Sequence, residues 1–192
     1  QGMVTAKNGT QHAEVFVVDL PEDVVAQVQA MIPSPATRRL EPPPGVRQRR
    51  LTFTDDRFHP GLAVSPRHWL RSAPDGAAIA FLMKDDLGIV QLWTISPNGG
   101  EPRQVTFGEK EIGSSFTWSP DGKFLAHVMD GSVCVTEMAS GTTRRLTSRN
   151  ESSEGPQPQA CVFSPDGQWI AYMEQVETEK GRFSQVFVVP AK

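Results

Sequence analysis

Three stretches of this chain are near copies of one another: Leu70–Leu82 reads LRSAPDGAAIAFL, Phe116–Val128 reads FTWSPDGKFLAHV, and Cys161–Met173 reads CVFSPDGQWIAYM. Aligned on Asp75, Asp121 and Asp166, they lie 46 and 45 residues apart, the period of a four-stranded propeller blade. Each copy opens with a short alternating run, in which Phe116 and Trp118, or Cys161 and Phe163, share one side of a strand. Pro-Asp-Gly then turns the chain, because proline presets φ, aspartate bonds its own backbone and glycine accepts a left-handed conformation. A second strand must follow.

It is written as AAIAFLM, KFLAHVM and QWIAYME, with alanine at one slot (Ala80, Ala126, Ala171) where facing sheets approach closely. The next slot holds Phe81, His127 or Tyr172, so His127 reads as a packed, hydrogen-bonded core residue rather than a ligand. Third strands are VQLWTIS, VCVTEM and QVFVVP, and fourth strands are announced by RQVTF (Arg103–Phe107) and RRLTS (Arg144–Ser148).

The ends of the chain break the pattern. Val15–Leu20 reads as a third strand without its own first two, and Arg49–Phe53 as that blade's fourth; at the other end a third strand has no outer partner. The expected fold is therefore all-β: a propeller portion with two complete four-stranded blades (67–107 and 114–148) and two partial ones (1–54 and 158–192). Between Pro21 and Gln48 an insertion interrupts the first partial blade. Pro21, Glu22 and Asp23 suit a helix start and Val24, Val25, Val28, Met31 and Ile32 an apolar face; prolines 33, 35 and 42–44 suit an extended connector. This insertion reads as a blade cap in preference to a docking segment.

Composition narrows the partners. With 19 basic and 22 acidic residues well mixed, and a net charge of -3, no basic field draws nucleic acid or an anionic membrane. No run approaches the roughly 18 apolar residues of a membrane span, and the first residues lack the pattern of a signal peptide. Gln1 is no initiator, so the chain is expected to be processed, tagged or cut from something longer. Cytoplasmic residence is preferred to periplasmic, with no decisive signal for either. Cys134 and Cys161 sit in apolar runs and read as buried free thiols.

The SPDG turns, RxLT outer strands and LW third strand together resemble the TolB-like propeller repeat. PPPGVRQRRLTF, PGLAVSPRHW and AFLMKDDLGIVQLWTISPNGGEPRQ resemble the C-terminal half of a bacterial propeller family of unknown function. That likeness covers essentially the whole chain and implies a parent about twice as long, but no activity. TolB itself is a periplasmic scaffold in an envelope complex; only its repeat is shared here.

In such a ring the Pro-Asp-Gly turns occupy one face, and ligands meet the other, formed by second-to-third loops and inter-blade connections. On that loop face lie Thr54–Trp69, Lys84–Gly88, Gly108–Ser114 and Arg149–Gln159. Candidate ligand-binding residues are Asp55, Asp56, His59, Arg67 and His68 in the first, with Lys84 and Asp85 in the second. Asp55, Asp56, His59 and His68 have metal-ligand chemistry but no spacing that fixes two ligands on one element, so turn and bend roles are preferred. Lys84, Asp85 and Asp86 read as a solvated hairpin loop. His68 aligns with Ser114 and Gln159, suggesting a polar residue wherever an inner strand enters the mouth.

Neither a Gly-x-Ser-x-Gly elbow nor a phosphate-cradling glycine pattern occurs, because Gly99-Gly100 precedes no helix. The reading is a non-catalytic scaffold that binds a protein or small ligand, with no cofactor and no metal. Its expected partners are the N-terminal portion of its own ring, a second copy through the open edge, or a protein or carbohydrate ligand. The alternative is part of a propeller enzyme, such as a metal-dependent polysaccharide lyase, whose catalytic residues lie mainly outside this chain.

Overall fold

A computed structural model describes residues 1–30, 41–150, 152, 155–159 and 161–192. Two four-stranded antiparallel sheets form its centre. The first runs β5 (Arg71–Ser72), β6 (Ile79–Lys84), β7 (Val90–Ile95) and β8 (Arg103–Gln104), and the second β9 (Thr117–Trp118), β10 (Phe124–Met129), β11 (Ser132–Glu137) and β12 (Thr143–Arg145), each in simple meander order. A third sheet orders β13 (Val162–Phe163), β14 (Trp169–Thr178) and β15 (Gly181–Pro190). The last two strands form a hairpin of ten residues a side, four longer than the six-residue pair Phe124–Met129 and Ser132–Glu137.

The N-terminal blade holds one strand more than the sequence suggested. β1 (Gly2–Thr5) pairs antiparallel with β2 (Gln11–Glu14), and after Val15 the chain continues as β3 (Phe16–Asp19), which pairs with β4 (Arg47–Arg50). Gly2–Thr5 thus takes the place of a second strand, where the sequence suggested none. Between β3 and β4, α1 (Val24–Ala30) is a short helix with no buried residue. Met31 and Ile32, expected to extend it, lie outside the described residues, as do prolines 33 and 35 of the connector.

Packing explains why the middle strands read as continuous apolar runs. A sheet held between two neighbours buries both faces, so alternation of polarity is lost. Ala80, Leu82, Val90 and Leu92 point to the next blade, meeting Ile112, Phe116, Leu125 and Met138. Ile79, Phe81, Met83, Trp93 and Ile95 point to the preceding blade, meeting Val15 and Leu51. Ala126, Val128, Val133 and Val135 in turn pack against Cys161 and Ile170. The core therefore consists of the seams between blades.

Two side chains recur in each seam for hydrogen-bonding reasons. The outer-strand threonine of RRLT or RQVT accepts a third-strand N–H in three blades: Thr52 from Val15 (2.9 Å), Thr106 from Leu92 (3.0 Å) and Thr147 from Val133 (3.0 Å). In the SPDG turns the serine hydroxyl donates to the aspartate, Ser119 to Asp121 (2.6 Å) and Ser164 to Asp166 (2.5 Å), and it accepts the N–H that opens the next strand. Ala73 replaces that serine in the first copy; there Asp75 still caps Ala77 N–H at 2.9 Å.

Candidate functional site

At the mouth, the segment entering β5 is extended. Arg67, Trp69 and Arg71 are exposed, whereas His68 is buried and Leu70 half-buried, the alternation that a period of two imposes. The approach to β9 alternates likewise, with Glu111, Gly113 and Ser115 outward and Ile112, Ser114 and Phe116 buried. Together with Pro158 and Gln159 on the approach to β13, the outward residues line an open cleft of about 680 Å3.

His68 lies behind this cleft rather than in it. Its Nε2 accepts the Leu82 N–H at 3.2 Å, which leaves Nδ1–H to donate to the Pro66 carbonyl at 3.1 Å. Burial pushes its pKa below the usual histidine value, keeping the ring neutral. Ser114, aligned with it, does the same work, its hydroxyl accepting the Val128 N–H at 2.7 Å. The alignment of His68 with Ser114 is real, but it marks a side chain that satisfies a second-strand N–H, not a polar mouth.

The other candidates scatter. His59 lies edge-on to Phe58, ring centroids 4.9 Å apart. Asp85 is a turn residue whose Oδ1 accepts the N–H groups of Leu87 (3.0 Å) and Ile89 (2.9 Å). The exposed Lys84 ends β6, and its carbonyl accepts Arg57. Asp55 and Asp56 line a separate depression with Lys7, Asn8 and Arg50. Asp55, Asp56, His59 and His68 thus do not converge on one point.

Asp55 instead joins a cluster that sequence reasoning missed. Glu14, fully buried on β2, and Asp55 both bind the Arg50 guanidinium, at 2.9 and 2.8 Å. His12 Nε2 stands 3.1 Å from Glu14 and 3.4 Å from Asp55. Carboxylate oxygens only accept, so that nitrogen carries the proton. Glu14 also takes hydrogen bonds from the Thr52 hydroxyl and from Thr54 N–H (2.9 Å) and hydroxyl (2.7 Å). His12, Glu14 and Asp55 lie close enough to bind a cation, and the cation that the two carboxylates hold is Arg50. Arg50 holds the Asp55 carboxyl below the usual aspartate range. The cluster ties the outer strand of one blade to the connection that starts the next.

His127 and the thiols are structural. His127 is fully buried, bonded through Nε2 to the Thr136 hydroxyl (2.8 Å), and desolvation lowers its pKa to about 4. Cys134 and Cys161 are free and buried, their thiols pushed up to about 11 and about 12, chiefly by desolvation.

Comparison with known proteins agrees with this architecture. No family model matches the chain. The uncharacterized protein YidR of Escherichia coli (strain K12) is 47% identical over 176 residues, covering 90% of this chain and 42% of its own length. This chain therefore spans less than half of that relative. Among solved structures, a protein assigned as TolB from Agrobacterium tumefaciens aligns over 77% of this chain and 48% of its own, with 23% identity and a TM-score of 0.51. An oligogalacturonate lyase in complex with manganese aligns over 54% of this chain and 27% of its own, at 19% identity and a TM-score of 0.45, too low to bear on chemistry. The fold is that of a TolB-like β-propeller. The sequence similarity is to a protein described only as uncharacterized. Among the described residues no helix is long and apolar enough to cross a membrane.

Proposed function

We propose that this chain is a non-catalytic binding part of a propeller ring, receiving its ligand at the loop-face mouth. The observation that supports this reading is the cleft of about 680 Å3 at the meeting of three inner strands, where Arg67, Trp69 and Arg71 are presented to solvent. Concave sites with an aromatic surface and a few convergent polar groups are where ligands bind. Three of the four histidines are committed to the fold, His12 to carboxylates, His68 to backbone and His127 to Thr136. A scaffold needs no more.

The same reading treats the arc as the C-terminal part of a larger ring. The E. coli relative is more than twice as long as the part matched, and β15 has one unpaired edge among the described residues. The rest of that ring, or a second copy of this chain, is the partner this edge fits.

Hydrogen exchange on the full-length protein with a panel of oligosaccharides and peptides tests the binding role. Protection at 65–71 and 111–115, with the ligand recovered chemically unchanged by mass spectrometry, is expected. Conversion of the ligand to a product, or protection confined to other loops, would refute the reading.

A further inference from the structure

Trp69 is 59% exposed, costly for so large an apolar surface unless something covers it. On either side, two positions along an extended segment, stand Arg67 and Arg71. Arg67 lies 5.3 Å from the Trp69 ring centroid, so the two share one face. Among the described residues neither guanidinium has a hydrogen-bond or ion-pair partner. Most other arginines do: Arg49 holds Asp19, Arg50 holds Glu14 and Asp55, and Arg57 holds Asp86.

We propose that Arg67, Trp69 and Arg71 form a subsite for an acidic oligosaccharide, with one sugar ring stacked on the indole and carboxylates of neighbouring units taken by the guanidiniums. This deepens the binding role proposed above and rests on it. The indole offers a flat apolar face to the C–H side of a pyranose. Each guanidinium is a planar fork that matches a carboxylate. Four residues of extended chain place the two arginines about 13 Å apart, the reach of a short chain rather than of one sugar. Glu111 and Gln159, which line the same cleft, offer an acceptor and an amide to hydroxyls.

Two observations favour a saccharide over other anions. An extended peptide binds by pairing with free main chain, but here the Arg67 carbonyl already accepts the Ser115 hydroxyl (2.7 Å) and the Arg71 carbonyl the Trp118 indole N–H (2.9 Å). Recognition is left to side chains. Two guanidiniums and the Glu111 carboxylate give the cleft a formal charge of +1. That suits sparse carboxylates rather than a nucleic-acid backbone, which calls for many cationic contacts.

The test titrates the full-length protein with uronate hexamers of the manno, galacto and gluco series, each beside its neutral hexose counterpart, and with hexaglutamate. Calorimetry reports binding. At least one uronate hexamer should bind about tenfold tighter than its neutral counterpart, which corresponds to about 1.4 kcal/mol. Arg67→Gln and Arg71→Gln should each erase most of that preference, weakening acidic binding far more than neutral binding; Trp69→Ala should weaken both, and Trp69→Phe should restore part. Equal binding of acidic and neutral hexamers, or a preference that survives both arginine changes, overturns the inference. Tighter binding of hexaglutamate at the same residues also overturns it, yet leaves the mouth a binding site. No binding of any probe refutes both.

Discussion

Pro74 lies over Gly122 of the next blade, its Cδ 3.5 Å from where a Cβ would stand, and Pro120 lies over Gly167 in the same way at 3.6 Å. The Pro-Asp-Gly turns are therefore stacked blade on blade. Gly122 has φ near 70°, a conformation that L side chains resist. The contact itself is ordinary, so Gly122→Ala should cost about 1 kcal/mol or more through the backbone alone. Chemical denaturation measures it, and an unchanged midpoint would count against the structural role.

Removing Ser114 tests the seam. Ser114→Ala leaves the buried Val128 N–H without its acceptor and should destabilise by about 1 to 3 kcal/mol. Trp69→Ala, at an exposed position, should change stability by less than about 0.5 kcal/mol. Thermal melts of the two variants side by side distinguish a structural from a presented residue. Equal losses would return Trp69 to the fold.

How much of this was legible beforehand differs by level. The triplicated turn disclosed sheets, seams and strand order, because a turn residue acts locally. Gly2–Thr5 escaped because no Pro-Asp-Gly precedes it and four residues carry little periodicity. Glu14 escaped because an acid inside HAEVFVVDL looks like a strand's wet side; its burial depends on Arg50 and Thr54, about 40 residues away. A usable signal existed, since Glu14 occupies the slot before Val15 that Gln91 occupies before Leu92, and Gln91 meets Thr106 as Glu14 meets Thr52. For His68, alignment could not say which side of the strand a side chain takes. Arg67 was among the sequence candidates, whereas Trp69 and Arg71, which share its face, were not.

Acid should unfold the protein in a defined window. His127 titrates near 6.5 in an unfolded chain and near 4 in the folded one, so the unfolded state binds the extra proton between those values. Its contribution is complete above about pH 6.5 and shrinks as pH falls toward 4, by on the order of 3 kcal/mol at most. His68, also lowered, acts in the same direction. His127→Phe, matching Phe81 in the equivalent slot, should flatten the slope of melting temperature against pH between 6.5 and 4. An identical slope in the variant would assign the effect elsewhere.

Exposed edges pair with whatever strand is available. Phe183, Val186 and Val188 on β15 are all substantially exposed. If the open-arc reading holds, the isolated chain should self-associate through Gln185–Val189, or become stable only when the rest of its ring is present. Light scattering and amide exchange across those residues check this. A monodisperse monomer with the strand fully protected would contradict it.

The two native thiols bear on how the mouth can be watched. Alkylation requires a thiolate that solvent can reach, and Cys134 and Cys161 are buried with their pKa values raised to about 11 and about 12. A cysteine placed at Ser115 would sit in the open cleft and react with maleimide at neutral pH while the native pair stays silent. Spin labels or fluorophores can therefore be attached beside Trp69 with Cys134 and Cys161 left in place, giving distances to an arriving ligand without first rebuilding the seam between two blades.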